Sequence, residues 1–338
     1  MRYAMLLKPH PNVRYRQSLQ KLALIELECI LNAWNVDCEQ PRVENLANEP
    51  FLVFEAQEME EAAWRAVSAH SAICLATRLR DDGALQPIRR IPTGWMPDDL
   101  PHVLKYKGKT NADFTYLMLH CARAASAFAR EEGPLRVLDP MCGKGTTLMC
   151  AVCENCEAVG VDTDAKAIRE AESYLERSLK LHRVKHRHTT GSLTLPGGAS
   201  ARWSEYALAP DAQSMRASPL TLRMIHGDAG ALDALVRPQS CHLAVCDLPY
   251  GVQHAPREGG GMSSLSRLVE RVLPGCVHAL KRGGAVAFAF NLNTLRRAEV
   301  AAQMEKAGLE VMSRPPYDDF SHWVEQAVDR DVVIARKA

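Results

Sequence analysis

The strongest constraint on the fold is an alternation of short apolar runs with amphipathic segments, which begins at Arg136 and continues to the end of the chain. An apolar run bounded by turn residues is typical of a buried strand, and apolar residues at helical spacing are typical of a helix. Parallel strands are joined by crossover connections, usually helices. The alternation therefore predicts an α/β domain with a mostly parallel sheet and helices on both faces.

The predicted elements of this domain follow one another regularly. The strands are Arg136–Leu138, Ala158–Val161, Leu222–His226, His242–Cys246, Ala285–Asn291, Glu310–Arg314 and Asp331–Ala335. The helices are Thr146–Cys156, Ala165–Leu181, Leu265–Leu280 and Thr294–Ala307. We expect the last two strands to pair antiparallel.

Residues 182–221 are predicted to form an irregular insertion, because glycine and proline recur in them. The insertion opens with a basic run from His182 to His188. One interpretation is a solvated loop, and the other is a mobile arm that contacts a phosphate backbone.

The N-terminal part, residues 1–80, is predicted to be a separate small α+β domain. Its strands are Arg2–Leu7, Pro50–Phe54 and Ala72–Leu79, and its helices are Arg16–Ala33 and Met59–Ser68. This β-α-β-α-β order favours a ferredoxin-like module. Residues 81–104 are rich in proline, glycine and aspartate and are predicted to be a linker, so that the second domain spans 105–338.

Composition limits the class of protein without fixing its function. A length of 338 residues allows about two domains. The 41 basic and 40 acidic residues leave a net charge of +1, so a nucleic-acid surface would be a local patch. No apolar run approaches the ~20 residues of a membrane span. The 11 cysteines lack a disulfide-like framework, which predicts a cytoplasmic protein without a membrane partner.

A glycine-containing loop follows the first strand of the second domain and runs from Asp139 to Thr146. Gly143 and Gly145 allow a tight turn and a close approach of a ligand, and the free amides at the start of the next helix can hold an anionic group. Asp139 can accept from a cationic amine. Lys144 between the glycines excludes the P-loop spacing, and Leu148 stands where the dinucleotide motif has its third glycine.

Two further acids follow the next strands. Asp162 ends the second strand, where a carboxylate can accept from both hydroxyls of a ribose, and Asp228 follows the third, where it can accept from an adenine amine. Together with Asp139, these acids predict a ligand that combines adenosine with an amino acid, namely S-adenosylmethionine. The alternative is that strand-end acids cap helices.

The fourth strand runs into Asp247-Leu248-Pro249-Tyr250. An aromatic amine is a poor nucleophile because its lone pair is delocalised into the ring. Asp247 and the Leu248 carbonyl can accept its two N–H bonds, Pro249 stiffens the loop, and Tyr250 can stack on the base. The motif predicts methylation of the exocyclic amine of a nucleobase. The alternative is a turn in which Asp247 caps a helix and Tyr250 packs in the core.

These motifs resemble the tRNA guanine-10 N2-methyltransferases, a family of Rossmann-like enzymes with a D/N-P-P-Y-type motif. Asp139–Thr147 is similar to the family's cofactor motif, Asp247–Gly251 to its catalytic motif, and Lys105–Thr115 to the segment that closes the cofactor pocket. Residues 1–80 look like its N-terminal ferredoxin-like domain. The chain departs from the pattern at Leu248, where the family has proline, and residues 80–104 are too few for a complete RNA-binding THUMP domain.

The resemblance implies a class I Rossmann-like methyltransferase domain preceded by a ferredoxin-like domain. The cofactor-binding residues expected are Asn111, Thr115, Asp139, Pro140, Cys142, Gly143, Gly145, Thr146, Asp162, Asp228, Ala229 and Asp247. The catalytic residues expected are Asp247, Leu248, Pro249 and Tyr250. Cys150, Cys153 and Cys156 diverge around a predicted helix and are interpreted as core residues rather than metal ligands.

The sequence as a whole predicts an S-adenosylmethionine-dependent RNA methyltransferase that modifies guanine N2. The expected substrate is tRNA, with ribosomal RNA and a small activating protein partner left open. One alternative is a DNA methyltransferase for adenine N6 or cytosine N4, and another is a non-catalytic subunit that binds cofactor or RNA.

Overall fold

The computed structural model describes residues 1–9, 13–103, 111–249 and 264–338. The elements of the N-terminal part are β1 Arg2–Leu7, α1 Val13–Ala33, β2 Cys38–Leu46, β3 Glu49–Ala56, α2 Glu61–Ser68, β4 Ile73–Leu79 and β5 Leu85–Ile88. The strands form one antiparallel sheet in the order β2-β3-β1-β4-β5. Without β5, the chain order β-α-β-β-α-β is that of a ferredoxin-like module, so the predicted class of this part is confirmed.

Two strands of this sheet, β2 and β5, were not predicted. β2 contains Glu39, Pro41 and Arg42 and has a register shift between Glu39 and Arg42, while β5 lies within residues 81–104 and pairs with β4. Both are edge strands, with one neighbour each. Edge strands tolerate proline and polar side chains, so they lack the apolar alternation that marks a strand in a sequence.

The elements that follow are α3 Leu100–Val103, α4 Ala112–Ala125, β6 Arg136–Asp139, α5 Thr146–Cys153, β7 Glu157–Asp162, α6 Ala165–Leu181, β8 Lys185–Thr194, β9 Ser200–Ala209, α7 Ala212–Ala217, β10 Leu220–His226, α8 Leu232–Leu235, β11 Cys241–Asp247, α9 Ser264–Ala279, β12 Leu280–Asn291, α10 Arg297–Lys306, β13 Leu309–Val311, β14 His322–Glu325 and β15 Val328–Lys337.

Within the described ranges the second sheet has the order β13-β15-β12-β11-β6-β7-β10-β9-β8, with β14 paired to β15. The strands β12, β11, β6, β7 and β10 are parallel. β15 is antiparallel to β12 and to β13, which confirms the predicted antiparallel pairing of the last two strands. The order reverses between β6 and β11, as in doubly wound sheets, so the predicted Rossmann-like α/β class is confirmed.

The prediction of an irregular insertion at 182–221 is wrong. β8 and β9 form a regular antiparallel hairpin from Lys185↔Ala209 to Thr194↔Ser200, and β9 extends the sheet by pairing with β10. His188 stacks on Tyr206 at 4.3 Å between ring centroids, and its Nδ1 lies 3.3 Å from a Glu176 oxygen on α6. The hairpin was missed because β8 is an edge strand whose side chains are mostly exposed.

One buried hydrophobic cluster contains residues of both parts of the chain, while the N-terminal part also has a cluster of its own. Leu22 and Ile25 of α1 belong to the same buried cluster as Phe114 and Met118 of α4. Gly94, between the two parts, packs closely against the end of α5, since a Cβ there would lie 2.1 Å from the Cys153 carbonyl oxygen. Among the described residues, no helix has the length and apolarity required to cross a bilayer.

Candidate active site

Four acidic residues lie at one edge of the parallel sheet. Asp247 ends β11, Asp139 ends β6, Asp162 ends β7, and Asp228 comes two residues after β10. These four strands are consecutive neighbours in the sheet. The carboxyl ends of parallel strands meet at the same edge, and the reversal of strand order between β6 and β11 opens a crevice there. The structure therefore brings together the four acids singled out in the sequence.

The glycine loop between β6 and α5 folds back over β7. The Cys142 amide donates to the Val161 carbonyl at 3.0 Å, the Gly145 amide donates to the Cys142 carbonyl at 2.7 Å, and Gly143 and Gly145 have φ of +51° and +80°. Positive φ is rarely adopted by residues with a Cβ, so this path favours glycine at both positions. Pro140 and Cys142 are buried within the loop, and Thr146 is the first residue of α5.

The glycine loop also packs closely against β7. A Cβ on Gly160 would stand 2.7 Å from Cys142 Sγ and 2.6 Å from Leu148 Cδ1. The Gly143 amide donates to Asp162 Oδ2 at 2.7 Å, and the Asp164 amide donates to Asp162 Oδ1 at 2.8 Å. Asp162 thus fixes the end of its own strand and the glycine loop at once.

Asp139 is a buried carboxyl group, with 3% of the residue exposed. It accepts a hydrogen bond from the Met141 amide at 3.1 Å. Burial raises the pKa of Asp139 to about 7, although hydrogen bonds from Thr147 and Met141 lower it in part. A cationic group beside this carboxyl would therefore compensate a charge that the protein itself leaves poorly solvated.

Asp228 lies in a more open environment than Asp139. Its Oδ1 accepts from the Gly230 amide at 2.8 Å and from Arg271 Nη2 of α9 at 3.1 Å, and Ala229 is buried in the turn that follows. Asp162 and Asp228 therefore both organise the turns after their strands, as the helix-capping alternative expects. Each carboxylate oxygen has two lone pairs, so these bonds leave further acceptor capacity toward a ligand.

The predicted catalytic motif begins at the end of β11. Asp247 pairs with Ala289 of β12, and the next amide, that of Leu248, donates to the Ala289 carbonyl at 2.9 Å. A proline at position 248 would lack this donor, so leucine extends the strand pairing by one hydrogen bond. The Leu248 side chain is buried, and Pro249 is exposed beside a cavity of about 440 Å³ at the start of α9. Tyr250 and Gly251 lie outside the described residues.

Asn111 and Thr115 lie at the start of α4. The Asn111 side chain caps the helix by accepting from the Asp113 amide at 2.9 Å, and the buried Thr115 hydroxyl donates to the Asn111 carbonyl at 3.2 Å. Residues 105–110 of the pocket-closing segment lie outside the described residues. The cofactor contacts expected of Asn111 and Thr115 remain predictions.

A buried arginine beside Asp247 was missed in the sequence. Arg330 of β15 is 5% exposed, its Nη2 lies 3.9 Å from Asp247 Oδ2, and its Cζ lies 4.3 Å from the ring centroid of Phe114. His322 of β14 contacts the same Phe114 ring at 5.2 Å. Burial lowers the pKa of His322 to about 4, and the nearby Arg330 charge acts in the same direction. The signal in the sequence was a charged residue, Arg330, near the start of a strand that contains an apolar run.

The prediction that three neighbouring cysteines are core residues is confirmed by their burial. Cys150, Cys153 and Cys156 are all buried free thiols in or just after α5. They pack in the shared core between α4, α5 and the sheet.

The sequence matches no protein-family model and no curated protein. The structure is similar to a TehB-like S-adenosylmethionine-dependent methyltransferase from Corynebacterium glutamicum, at 15% identity and a TM-score of 0.36, covering 62% of this chain and 84% of that one. It is also similar to a magnesium protoporphyrin IX methyltransferase from Synechocystis with bound S-adenosylmethionine, at 12% identity and a TM-score of 0.39, covering 71% and 90%.

A third similar structure is a precorrin-6y C5,15-methyltransferase from Geobacter metallireducens. It shares 14% identity and a TM-score of 0.39, covering 74% of this chain and 100% of that chain. TM-scores as low as these establish neither a function nor a substrate for this chain.

Proposed function

We propose that this protein is an S-adenosylmethionine-dependent methyltransferase that modifies the exocyclic amine of a nucleobase, namely guanine N2 in tRNA. The observation that supports this proposal most directly is the alignment of Asp247, Asp139, Asp162 and Asp228 at the ends of four neighbouring strands. Three of these acids match the parts of the cofactor, and the fourth begins the catalytic motif.

The residues present fit the cofactor chemically. Asp139 is a buried carboxyl that a cationic α-amino group would neutralise. Gly143 and Gly145 carry no Cβ, so a carboxylate can approach the loop and the first amides of α5. Asp162 would accept from the ribose hydroxyls, and Asp228 from the adenine amine. When bound, the cofactor supplies a methyl group on a sulfonium, which is already a good leaving group.

The chain's own contribution to the reaction is alignment of the nucleophile. Asp247 and the Leu248 carbonyl would accept the two N–H bonds of the amine, so that the nitrogen becomes pyramidal and directs its lone pair toward the methyl carbon. The strand pairing of Asp247 and the Leu248 amide with Ala289 fixes this backbone to the centre of the sheet. Such positioning and preorganised hydrogen bonding account for most of the rate of a reaction with a good leaving group.

A nucleic-acid substrate is supported by the cations beside the motif. Arg267 and Arg271 are exposed one helical turn apart on α9 and line the cavity that borders Pro249. Arginine in this position can bind the phosphates on either side of a base that enters the site. With a net charge of +1 over the whole chain, a nucleic-acid surface would be a local patch of this kind. Arg271 also pairs with Asp228 at 3.1 Å, so its guanidinium would be shared between that carboxylate and a phosphate.

The test is transfer of labelled methyl from S-adenosylmethionine to total tRNA, ribosomal RNA and duplex DNA in parallel reactions. We expect label in tRNA, and a loss of about 10²-fold or more in the rate of transfer by Asp247→Ala. Asp233→Ala is the matched control, because Asp233 is an exposed acid on α8.

Each substrate distinguishes one alternative. Label only in ribosomal RNA would change the substrate within the RNA class, and label only in DNA would move the protein to the DNA amino-methyltransferases. Cofactor binding with no transfer to any of the three would leave a binding subunit or a requirement for an activating partner.

A further inference from the structure

The register of three strands places Arg330 beside Asp247. Asp247 is paired with Ala289, Ala289 with Val332, and Asn291 with Arg330. Directly paired residues point to the same face of a sheet, and so do residues two apart in one strand. Arg330 therefore lies on the same face of the sheet as Asp247. β12 separates their two strands, and the long side chain of Arg330 reaches across it.

The guanidinium is held on two sides. Its Nη2 lies 3.9 Å from Asp247 Oδ2, and its Cζ lies over the Phe114 ring at 4.3 Å. Arg330 is 5% exposed and the Asp247 side chain 10% exposed, so both charges are largely withdrawn from water. A buried guanidinium is tolerated when a carboxylate and an aromatic face compensate its lost hydration.

On the basis of the proposed function, we propose that Arg330 is a positioning residue for Asp247. Arg330 draws Oδ2 toward β15, so that Oδ1 is the oxygen presented to the exocyclic amine. Phe114 fixes the plane of the guanidinium and connects it to α4, the helix that begins at Asn111.

Other titratable groups lie on the neighbouring elements. Asp139 ends β6, the strand next to β11, and His322 of β14 contacts Phe114. Within Asp247's own strand, the preceding residue Cys246 is a buried thiol. Asp139 belongs to the proposed cofactor pocket, so the variants are compared at saturating cofactor. His322 is neutral at physiological pH because burial lowers its pKa to about 4.

The test compares Arg330→Met and Arg330→Lys in single-turnover methyl transfer at saturating cofactor. We expect Arg330→Met to lose about 10²-fold in rate, because a small misplacement of a reacting group costs about that much. Arg330→Lys should recover much of the rate, because it retains the cation.

The matched control is Arg297→Met. Arg297 also pairs with a buried acid of β15, Asp331, at 2.9 Å, but Asp331 follows Arg330 directly in the strand and so points to the opposite face of the sheet. Its loss should lower the thermal unfolding temperature and leave the transfer rate close to that of wild type. An Arg330→Met protein that stays within threefold of the wild-type rate would overturn the proposal. So would an Arg330→Lys protein that is no better than the methionine variant.

A second measurement separates this proposal from the proposed function. Carbon-13 NMR of the aspartate carboxyls, with the Asp247 signal assigned by its loss in Asp247→Asn, reports the surroundings of the Asp247 carboxyl at one fixed pH and without any turnover. The chemical shift of the Asp247 signal should change in Arg330→Met and return toward wild type in Arg330→Lys. If wild type methylates no substrate but this difference is present, the function fails and the pairing stands. If the chemical shift is the same in all three, the pairing fails.

Discussion

At the scale of single residues, the proposed cofactor site contains a carboxyl that is costly to ionise. Burial raises the pKa of Asp139 to about 7, with hydrogen bonds from Thr147 and Met141 opposing that shift. A cationic amine beside the group would favour its ionised form, so binding and deprotonation are linked.

We therefore predict that the affinity for S-adenosylmethionine is full above about pH 7 and falls as the pH drops below that value. Calorimetric titration at several pH values and in buffers of different ionisation enthalpy would show proton release on binding. Asp139→Asn should bind more weakly and lose this pH dependence. A flat profile in wild type from pH 5.5 to 8.5 would argue against this role of Asp139.

Gly160 provides a second residue-scale prediction. Alanine there would place a Cβ 2.7 Å from Cys142 Sγ and force the glycine loop away from β7. We predict that Gly160→Ala lowers the free energy of unfolding by about 1–3 kcal/mol and weakens cofactor binding. Gly133→Ala is the control, since nothing lies within 4 Å of its added Cβ. Urea unfolding of both variants measures the difference, and equal losses in the two would count against a tight loop.

At the scale of elements, the hairpin β8–β9 is one that the apolar pattern of the sequence did not predict. We predict that the β9 amides exchange with deuterium as slowly as those of β10, because β9 is paired on both sides. Amides along β8 that face away from β9 should exchange faster. Hydrogen exchange followed by mass spectrometry resolves the two strands, and fast exchange throughout 185–209 would restore the interpretation as a mobile arm.

The parts of the fold that were predictable are those with local signals. Asp139, Asp162 and Asp247 each end an apolar run, so their places at strand ends could be predicted from neighbouring residues alone. The proximity of Arg330 to Asp247 depends on the order β11-β12-β15, which joins residues distant in the chain. β2 and β8 were missed because an edge strand need not bury either face.

At the scale of the whole molecule, a buried ion cluster joins the two parts of the chain. Glu26 of α1 accepts from the His120 Nδ1 of α4 at 2.6 Å, and His120 Nε2 lies 3.4 Å from Glu154 at the end of α5. Burial alone would lower the pKa of His120, but the two carboxylates outweigh it and raise the value to about 10. Burial would raise the pKa of Glu26, but His70 and His120 lower it to about 2.

These shifts predict a defined pH dependence of stability. The raised pKa of His120 stabilises the fold fully below its ordinary value of 6.5, and that contribution is lost as the pH rises toward about 10. The lowered pKa of Glu26 stabilises the fold above its ordinary value of 4.5, and that contribution is lost as the pH falls toward about 2. Both contributions are full between about pH 4.5 and 6.5, so stability should be greatest in that range.

His120→Gln should lower the free energy of unfolding at pH 7 by about 3–5 kcal/mol, because it leaves Glu26 buried without its charged partner. It should also flatten the alkaline limb of the stability profile. Denaturant unfolding from pH 5 to 10 measures both effects. An unchanged alkaline limb in the variant would show that His120 is not the group that titrates.

The central claim is that the four strand-end acids form one site for methylating a base amine. The most direct measurement is to digest tRNA after reaction with labelled S-adenosylmethionine and to identify the labelled nucleoside by chromatography and mass spectrometry. Our account predicts N2-methylguanosine from the wild-type reaction and none from Asp247→Ala. Label on a ring carbon, a ring nitrogen or a ribose oxygen would contradict it, because none of those atoms presents the two N–H bonds that Asp247 and Leu248 are placed to accept.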